Sequence, residues 1–331
     1  MVRKPRLARD AYVEGVLRGD RIILSRAITL IESLHPADIE LAQDVLEQCL
    51  PYSGDSVRVG ITGVPGVGKS SLIEVLGVYL TRDRDEKVAV LAVDPSSQVS
   101  HGSILGDKTR MEALANDERS FIRPSPSGGS LGGVARRTRE TMLLCEAAGY
   151  RNVLVETVGV GQSETTVRSM VDFFLLLMLA GAGDELQGMK RGILEMTDLI
   201  AFNKADGANR AKAEAARREY ESALHLFSAP ETGWTPRVIT CSAHAREGIA
   251  DIWDAVLEHN AWLTSTAQLA AFRQEQVKSW LYELIEQALR DEFMHHDGVR
   301  ARLAGYEQDV LAGRLTPFRA ARQLLKIYTE N

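Results

Sequence analysis

Gly63-Val64-Pro65-Gly66-Val67-Gly68-Lys69-Ser70 is the stretch that decides the reading of this 331-residue chain. It fits the pattern G-x-x-x-x-G-K-[ST] at every fixed position. An apolar, β-branched run, Val57–Thr62, comes directly before it, and Leu72, Ile73, Val75 and Leu76 follow at helical spacing. In a strand–turn–helix of this kind, successive backbone N–H groups can be aimed at phosphate oxygens. Glycine tolerates the dihedrals such a turn needs, and the helix N-terminus adds partial positive charge. Lys69 would bring a cation to the β and γ phosphates, and the Ser70 hydroxyl would reach Mg²⁺. Residues Gly63 to Ser71 would line the nucleotide. With strand, lysine, serine and helix all in register, a glycine turn used only for packing is disfavoured.

Outward from this turn the chain alternates strand-like and helix-like segments. Apolar runs at Val57–Thr62, Val88–Val93, Val153–Glu156, Phe173–Leu179, Leu199–Phe202 and Val238–Thr240 are continuous rather than alternating. Such strands are covered on both faces, which predicts an α/β fold: a mainly parallel sheet flanked by helices, with right-handed crossovers. Before it, Val13, Val16, Leu17, Ile23, Leu24, Ile28 and Ile31 recur at helical spacing, and Pro36 breaks this from a second amphipathic stretch, Asp38 to Leu50. After about residue 248 the pattern is purely helical, and Ala267–Phe293 contains neither Gly nor Pro. A helix of that length is expected to project and pack against another subunit. The expected division is an N-terminal helical extension (1–52), a P-loop nucleotide-binding domain (53–262) and a C-terminal helical arm (263–331).

The choice of base is read from Asn203-Lys204-Ala205-Asp206, which follows the strand Leu199–Phe202 at the edge where ligands of open α/β sheets bind. Asp206 could accept hydrogen bonds from the guanine N1–H and 2-amino group, donors that adenine lacks. Asn203 would tie this loop to the phosphate turn, and the Lys204 stem would cover the base. Ser242, Ala243 and His244, after Val238–Thr240, would bring backbone N–H groups to the guanine carbonyl. GTP and GDP are the expected ligands.

Two carboxylates close strands on the same edge: Asp94 after Val88–Val93 and Glu156 after Val153–Val155. Asp107 lies in a glycine-containing segment that could close over the metal. Mg²⁺ keeps several waters and takes few protein ligands, so these three are ranked Glu156, Asp94, Asp107. Lys69, Asp94, Asp107 and Glu156 form the expected catalytic set. Gly159 could offer its N–H to a γ-phosphate and so sense GTP against GDP. No glutamine follows Gly159 directly, since Gln162 comes three residues later, so intrinsic hydrolysis is expected to be slow and partner-dependent.

Composition narrows the partners. A hydrophobic fraction of 45% with 25% charged residues is that of a soluble globular chain. The net charge of −6 gives no reason to expect nucleic acid or an anionic membrane. Arg136-Arg137 and Lys190-Arg191 are too short for a phosphate-backbone stripe. The longest apolar run, Phe173–Ala182, is too short to cross a bilayer and reads as a buried strand. Three well-separated cysteines, Cys49, Cys145 and Cys241, form no CxxC pair, and no secretory h-region is visible; a cytoplasmic protein is expected.

Several longer strings carry a resemblance. Val93–Ser97, Gly102–Met111, Arg123–Ser127, Leu131–Ala135, Glu156–Glu164, Gly181–Gly188 and Asn203–Gly207 together resemble the MeaB/ArgK family, over about residues 10 to 260. The resemblance implies a GTPase chaperone of the adenosylcobalamin-dependent methylmalonyl-CoA mutase, which protects that enzyme and gates cofactor loading or exchange. It also implies a homodimer joined through the C-terminal arm. Gly181–Arg191, with Asp184, Glu185, Lys190 and Arg191, would be an additional switch coupling nucleotide to the mutase. The sequence departs from the family pattern at Gln98-Val99-Ser100-His101, where relatives carry Thr/Arg and a glycine pair, and at Ala180, where they carry proline. A metal-insertion GTPase and a small-molecule kinase are the alternatives. Neither a His-rich or Cys-containing relay for the first nor an acceptor pocket for the second is marked in the sequence.

Overall fold

The computed structural model describes residues 6–93, 111–124, 131–157, 163–181, 191–224 and 233–330. Asp94, Gln98 to His101, Asp107, Gly159, Asp184, Glu185 and Lys190, all singled out above, lie outside the described residues. The chain forms two compact units, Met1–Arg273 and Gln274–Asn331.

In the first unit, helices α1 (Arg9–Leu17), α2 (Arg21–Ile31) and α3 (Pro36–Cys49) lead into strand β1 (Val57–Gly63) and α4 (Lys69–Val78). Then come β2 (Val88–Val93), the short α5 (Glu112–Ala115), β3 (Ser120–Arg123), α6 (Leu131–Ala147), β4 (Asn152–Thr157) and α7 (Ser163–Arg168). β5 (Phe173–Leu179), α8 (Arg191–Glu195), β6 (Leu199–Asn203), α9 (Arg210–Leu224), β7 (Arg237–Thr240) and α10 (Ile249–Ser265) complete the alternation. The seven strands lie in the order β3-β2-β4-β1-β5-β6-β7, every pair parallel. The six expected strands are all present. The addition is β3, four residues (Ser-Phe-Ile-Arg) pairing Val88 with Ser120 through Leu91 with Arg123. So short a run, flanked by Glu118-Arg119, carries no periodic signal; its place is set by the neighbouring β2.

Strand alternation divides the core in two. Val153 and Val155 of β4 face the layer built from α1, α2, α3, α6 and α7, whereas Leu154 between them faces α4 and α10. In β5, Phe173, Leu175 and Leu177 join the α4/α10 side, while Leu176 and Met178 meet α9 through Ala213 and Tyr220. Both faces are covered, which is why the strand sequences read as unbroken apolar runs. The N-terminal helices belong to this core: Val16, Leu24 and Ile28 are fully buried among α6 and strand residues. Helix starts follow local chemistry. The Asp20 carboxylate accepts from Ile22 N and Ile23 N at 2.8 and 3.1 Å, and Pro36 sits in the first turn of α3.

Along the N-terminal edge of the strands runs a buried ionic network. Arg58 Nε and Nη2 donate to both oxygens of Glu146 at 2.7 and 3.0 Å, and Arg168 Nη1 donates to Asp198 Oδ2 at 3.1 Å. Burial pushes the Asp198 carboxyl up to about 6, against the pull of Arg168 and the Phe174 amide. Burial pushes the His259 imidazole down to about 4, helped by Arg168 and opposed by Asp172. His259 Nε2 is 3.7 Å from Asp198 Oδ1, but the ring is neutral at pH 7, so this contact is not an ion pair there.

The second unit takes in most of α11 (Gln268–His295), together with α12 (Asp297–Leu311) and α13 (Pro317–Thr329). Tyr328 of α13 meets the rings of Phe293 and His296 at 5.6 and 5.4 Å. None of the 28 residues of α11 is buried, and Val277, Leu281, Ile285 and Leu289 expose 60%, 55%, 43% and 55% of their surface at four-residue spacing. No described helix is long and apolar enough to cross a membrane.

His259 yields a stability expectation. Its imidazole titrates near 6.5 unfolded and near 4 folded, so its share of stability is complete above pH 6.5 and is lost as pH falls toward 4. His259→Phe removes that dependence. In urea unfolding, the stability advantage of wild type over the variant should narrow by about 2 kcal/mol between pH 7 and pH 5. An advantage unchanged between the two pH values would show that the folded imidazole titrates normally.

Candidate functional site at the carboxyl edge of the sheet

Because every strand is parallel, the ends Gly63, Thr157, Asn203 and Thr240 emerge on one edge, with β1 flanked by β4 and β5. The turn after β1 is held by glycine geometry at two points. Gly63 (φ 147°) passes so close to β5 that a Cβ would stand 2.5 Å from Leu177 O. Gly68 is left-handed (φ 99°), and a Cβ there would stand 2.7 Å from Asn203 Nδ2. Between them Pro65 and Gly66 are exposed, Val67 is fully buried and Val64 is half-buried.

Lys69 opens α4 and is 8% exposed. Its Nζ donates to Gly63 O at 2.6 Å and Val64 O at 3.2 Å, so the ammonium lies inside the turn. Burial lowers its pKa from the usual ammonium value, while Glu156 and Glu164 push it back up. Ser70 Oγ donates to Glu156 Oε1 at 2.8 Å. Ser71 is exposed on the same first turn. Glu156 is 8% exposed, and next to it Thr157 Oγ1 donates to Thr62 Oγ1 at 2.9 Å, both hydroxyls buried. This bond ties the end of β4 to the last residues of β1, where Ile61 pairs with Glu156.

Asn203 braces the edge. Its Nδ2 donates to Val67 O at 2.9 Å and its Oδ1 accepts from Ala243 N at 3.1 Å, so one buried amide joins the turn after β1, the end of β6 and the loop after β7. Lys204 adopts a left-handed backbone (φ 59°), costly for a residue with a Cβ, and its Nζ donates to Gly66 O at 2.8 Å. Ser242, fully buried, donates its Oγ–H to Asp206 Oδ2 and accepts from Ala245 N at 3.0 Å. The Asp206 carboxylate is thereby fixed in direction at the rim. Ala243 is buried and His244 exposed beside it. Of the residues the sequence pointed to, Gly63 to Ser71, Glu156, Asn203, Lys204, Asp206 and Ser242 to His244 are brought to this edge. Arg136 pairs with Glu140 one turn along α6, Nε to Oε1 at 3.1 Å. Glu164, Thr62 and Thr157 have no role assigned from the sequence here, and the Cys241-Ser242-Ala243 loop is read there only for its backbone N–H groups. Glu164 is 5% exposed on α7 and acts on Lys69, and the Cys241 thiol lies 3.8 Å from Asn203 Oδ1; no local spacing marks either side-chain contact.

The family profile described as methylmalonyl Co-A mutase-associated GTPase MeaB matches residues 24–297. The chain belongs to the MeaB family. It is a P-loop GTPase that binds guanine nucleotide. Among similar proteins, the GTPase ArgK of Escherichia coli K12 is 48% identical over 316 residues, covering 94% of each chain. The mitochondrial methylmalonic aciduria type A homolog of mouse is 45% identical over 329 residues, covering 96% of this chain and 79% of its own. A crystal structure titled LAO/AO transport system kinase superposes with a TM-score of 0.79 at 39% identity, covering 98% of this chain and 99% of that one.

Gly68→Ala tests the geometry. The added methyl must strain a left-handed backbone and push Asn203 off the turn. An expected cost of about 1–3 kcal/mol in stability is accompanied by loss of guanine-nucleotide binding of about 30-fold or more, read by calorimetry. Wild-type affinity in a stable variant would show that the Asn203 brace is dispensable.

Proposed function

We propose that this protein is a GTP-hydrolysing chaperone of an adenosylcobalamin-dependent mutase of the methylmalonyl-CoA class, protecting it and gating cofactor loading or exchange. The observation that carries the reading is the match of residues 24–297 to a mutase-associated GTPase family, on a chain whose phosphate turn and base loop are joined by Asn203. In this reading the backbone N–H groups of Gly66 to Ser70 hold the phosphates. Lys69 leaves the Gly63 and Val64 carbonyls to neutralise the β and γ oxygens. Asp206, aimed by Ser242, takes the guanine N1–H and amino group, and Lys204 covers the base. Gly159 reports the γ-phosphate to the rest of the switch.

The oxygen donors Ser70 Oγ and Glu156 Oε1, 2.8 Å apart beside the phosphate turn, fit a small hard cation. Ser70 would hold Mg²⁺ directly, with Glu156, Asp94 and Asp107 acting directly or through water, and the ion would neutralise charge developing on the phosphates. The protein would work in the cytoplasm as a homodimer joined through residues 263–331; the exposed stripe Val277, Leu281, Ile285 and Leu289 supplies an apolar face for a second copy. Gly181 to Arg191 would contact the mutase.

Asp206→Asn is expected to lower GTP affinity about 100-fold and to erase preference over ATP, measured by calorimetry. Guanine preference surviving the change would remove Asp206 from base recognition. For the partner, the full chain is mixed with methylmalonyl-CoA mutase, and both co-purification and GTP turnover are followed. A stable complex and turnover raised at least about tenfold are expected. No complex and unchanged turnover would remove the chaperone reading. The solved relative titled as a kinase favours one second reading, transfer of the γ-phosphoryl to a small acceptor. Stoichiometric inorganic phosphate released with GDP in that assay excludes it.

A further inference from the structure

Helix α7 and the turn behind it lie directly on the backbone of β1. The contact is possible because residue 60 is glycine: a Cβ there would stand 2.8 Å from both Val167 Cγ1 and Phe174 Cδ2, and 3.0 Å from Val171 Cγ2. Val167 and Val171 are fully buried. A segment packed this closely moves as a body or not at all.

The two ends of that body touch different things. At its start is Glu164, buried at the phosphate edge and acting through space on Lys69. At its far end is Arg168. Its Nη1 donates to Asp198 Oδ2 at 3.1 Å and to Asp172 O at 3.4 Å, and its guanidinium carbon lies 5.3 Å from the centre of the Phe272 ring. Asp172, 1% exposed, accepts from Arg58 N at 3.1 Å and takes a two-pronged grip from Arg273, Nε to Oδ1 at 2.8 Å and Nη2 to Oδ2 at 2.6 Å. Arg273 also donates to the carbonyls of Gly54 and Ser56. The turn from Arg168 to Asp172 thus holds consecutive residues, Phe272 and Arg273, near the start of α11. Buried charges of this kind cannot part without leaving one uncompensated, so the grip resists slipping.

We propose that α7 with its Arg168–Asp172 turn is a lever that carries the nucleotide state of the phosphate edge to the root of α11 at Phe272 and Arg273. Whatever shifts Glu164 when the groups around Lys69 change also shifts Arg168 and Asp172, because the segment between them rests on β1 without free space. The coupling is expected to show as a difference in local opening of the first turns of α11.

The proposal rests on the guanine-nucleotide site, so binding is measured by calorimetry in the same samples. Hydrogen exchange is then followed for amides 268–280 of the full-length protein with GDP and with a non-hydrolysable GTP analogue. Wild type should show exchange rates in this segment differing about fivefold or more between the two nucleotides. Arg168→Ala should bind both nucleotides as wild type does yet show no such difference. Should Arg168→Ala fail to fold, Arg273→Lys is read in its place, since it keeps a positive charge beside Asp172 and removes the two-pronged grip. The lever is overturned by equal exchange in wild type with both nucleotides bound, or by a nucleotide-dependent difference that survives in the folded variant. Absent nucleotide binding in wild type would instead overturn the site itself.

Discussion

The carboxamide of Asn203 is the constraint on which the nucleotide edge depends. Its donor is used by Val67 O and its acceptor by Ala243 N, so three segments far apart in sequence are held at fixed separation by one side chain. Only a residue with a donor and an acceptor on the same planar group can do this, and only a glycine at position 68 leaves room for it. The turn after β1, the end of β6 and the loop after β7 are then a single braced edge. The Ser242–Asp206 bond and the Lys204–Gly66 bond add direction to a frame already set.

The opposite edge of the sheet is organised by charge. Glu146, Asp172 and Asp198 are matched by Arg58, Arg168 and Arg273, three acids against three guanidiniums, nearly all of it out of water. Such a set contributes little net stability compared with apolar packing, but it is intolerant of losing a member. Arg273 completes it from the first turns of a helix whose remaining residues belong to the second unit. The first unit is therefore electrostatically whole only when the chain extends through Arg273.

Much of this was legible beforehand, for identifiable reasons. β5 announced itself because both faces are covered, leaving Phe173 to Leu179 without a polar residue. The phosphate turn was legible because three functions, tight turning, charge and a hydroxyl, fall on eight contiguous residues. That Asn203 and Asp206 stand together at this edge was legible because one loop carries them both. β3 was not, since four residues at an edge are ordered by their neighbour and not by their own pattern. The Thr62–Thr157 bond and the burial of Glu164 escaped for the same reason: their partners are distant in sequence and follow no fixed spacing.

Sequence alone determined the parallel α/β class, the P-loop turn after β1 and the helical ends, because each rests on local periodicity or on residues within a few positions of one another. Only the tertiary structure decided that the N-terminal helices share the core with α6, that Gly60 lets α7 lie on β1, and that Arg273 closes the charge network beneath the sheet. Those arrangements depend on which surfaces meet once the strands have taken their order. A chain read residue by residue carries no information on that meeting until distance in space replaces distance along the backbone.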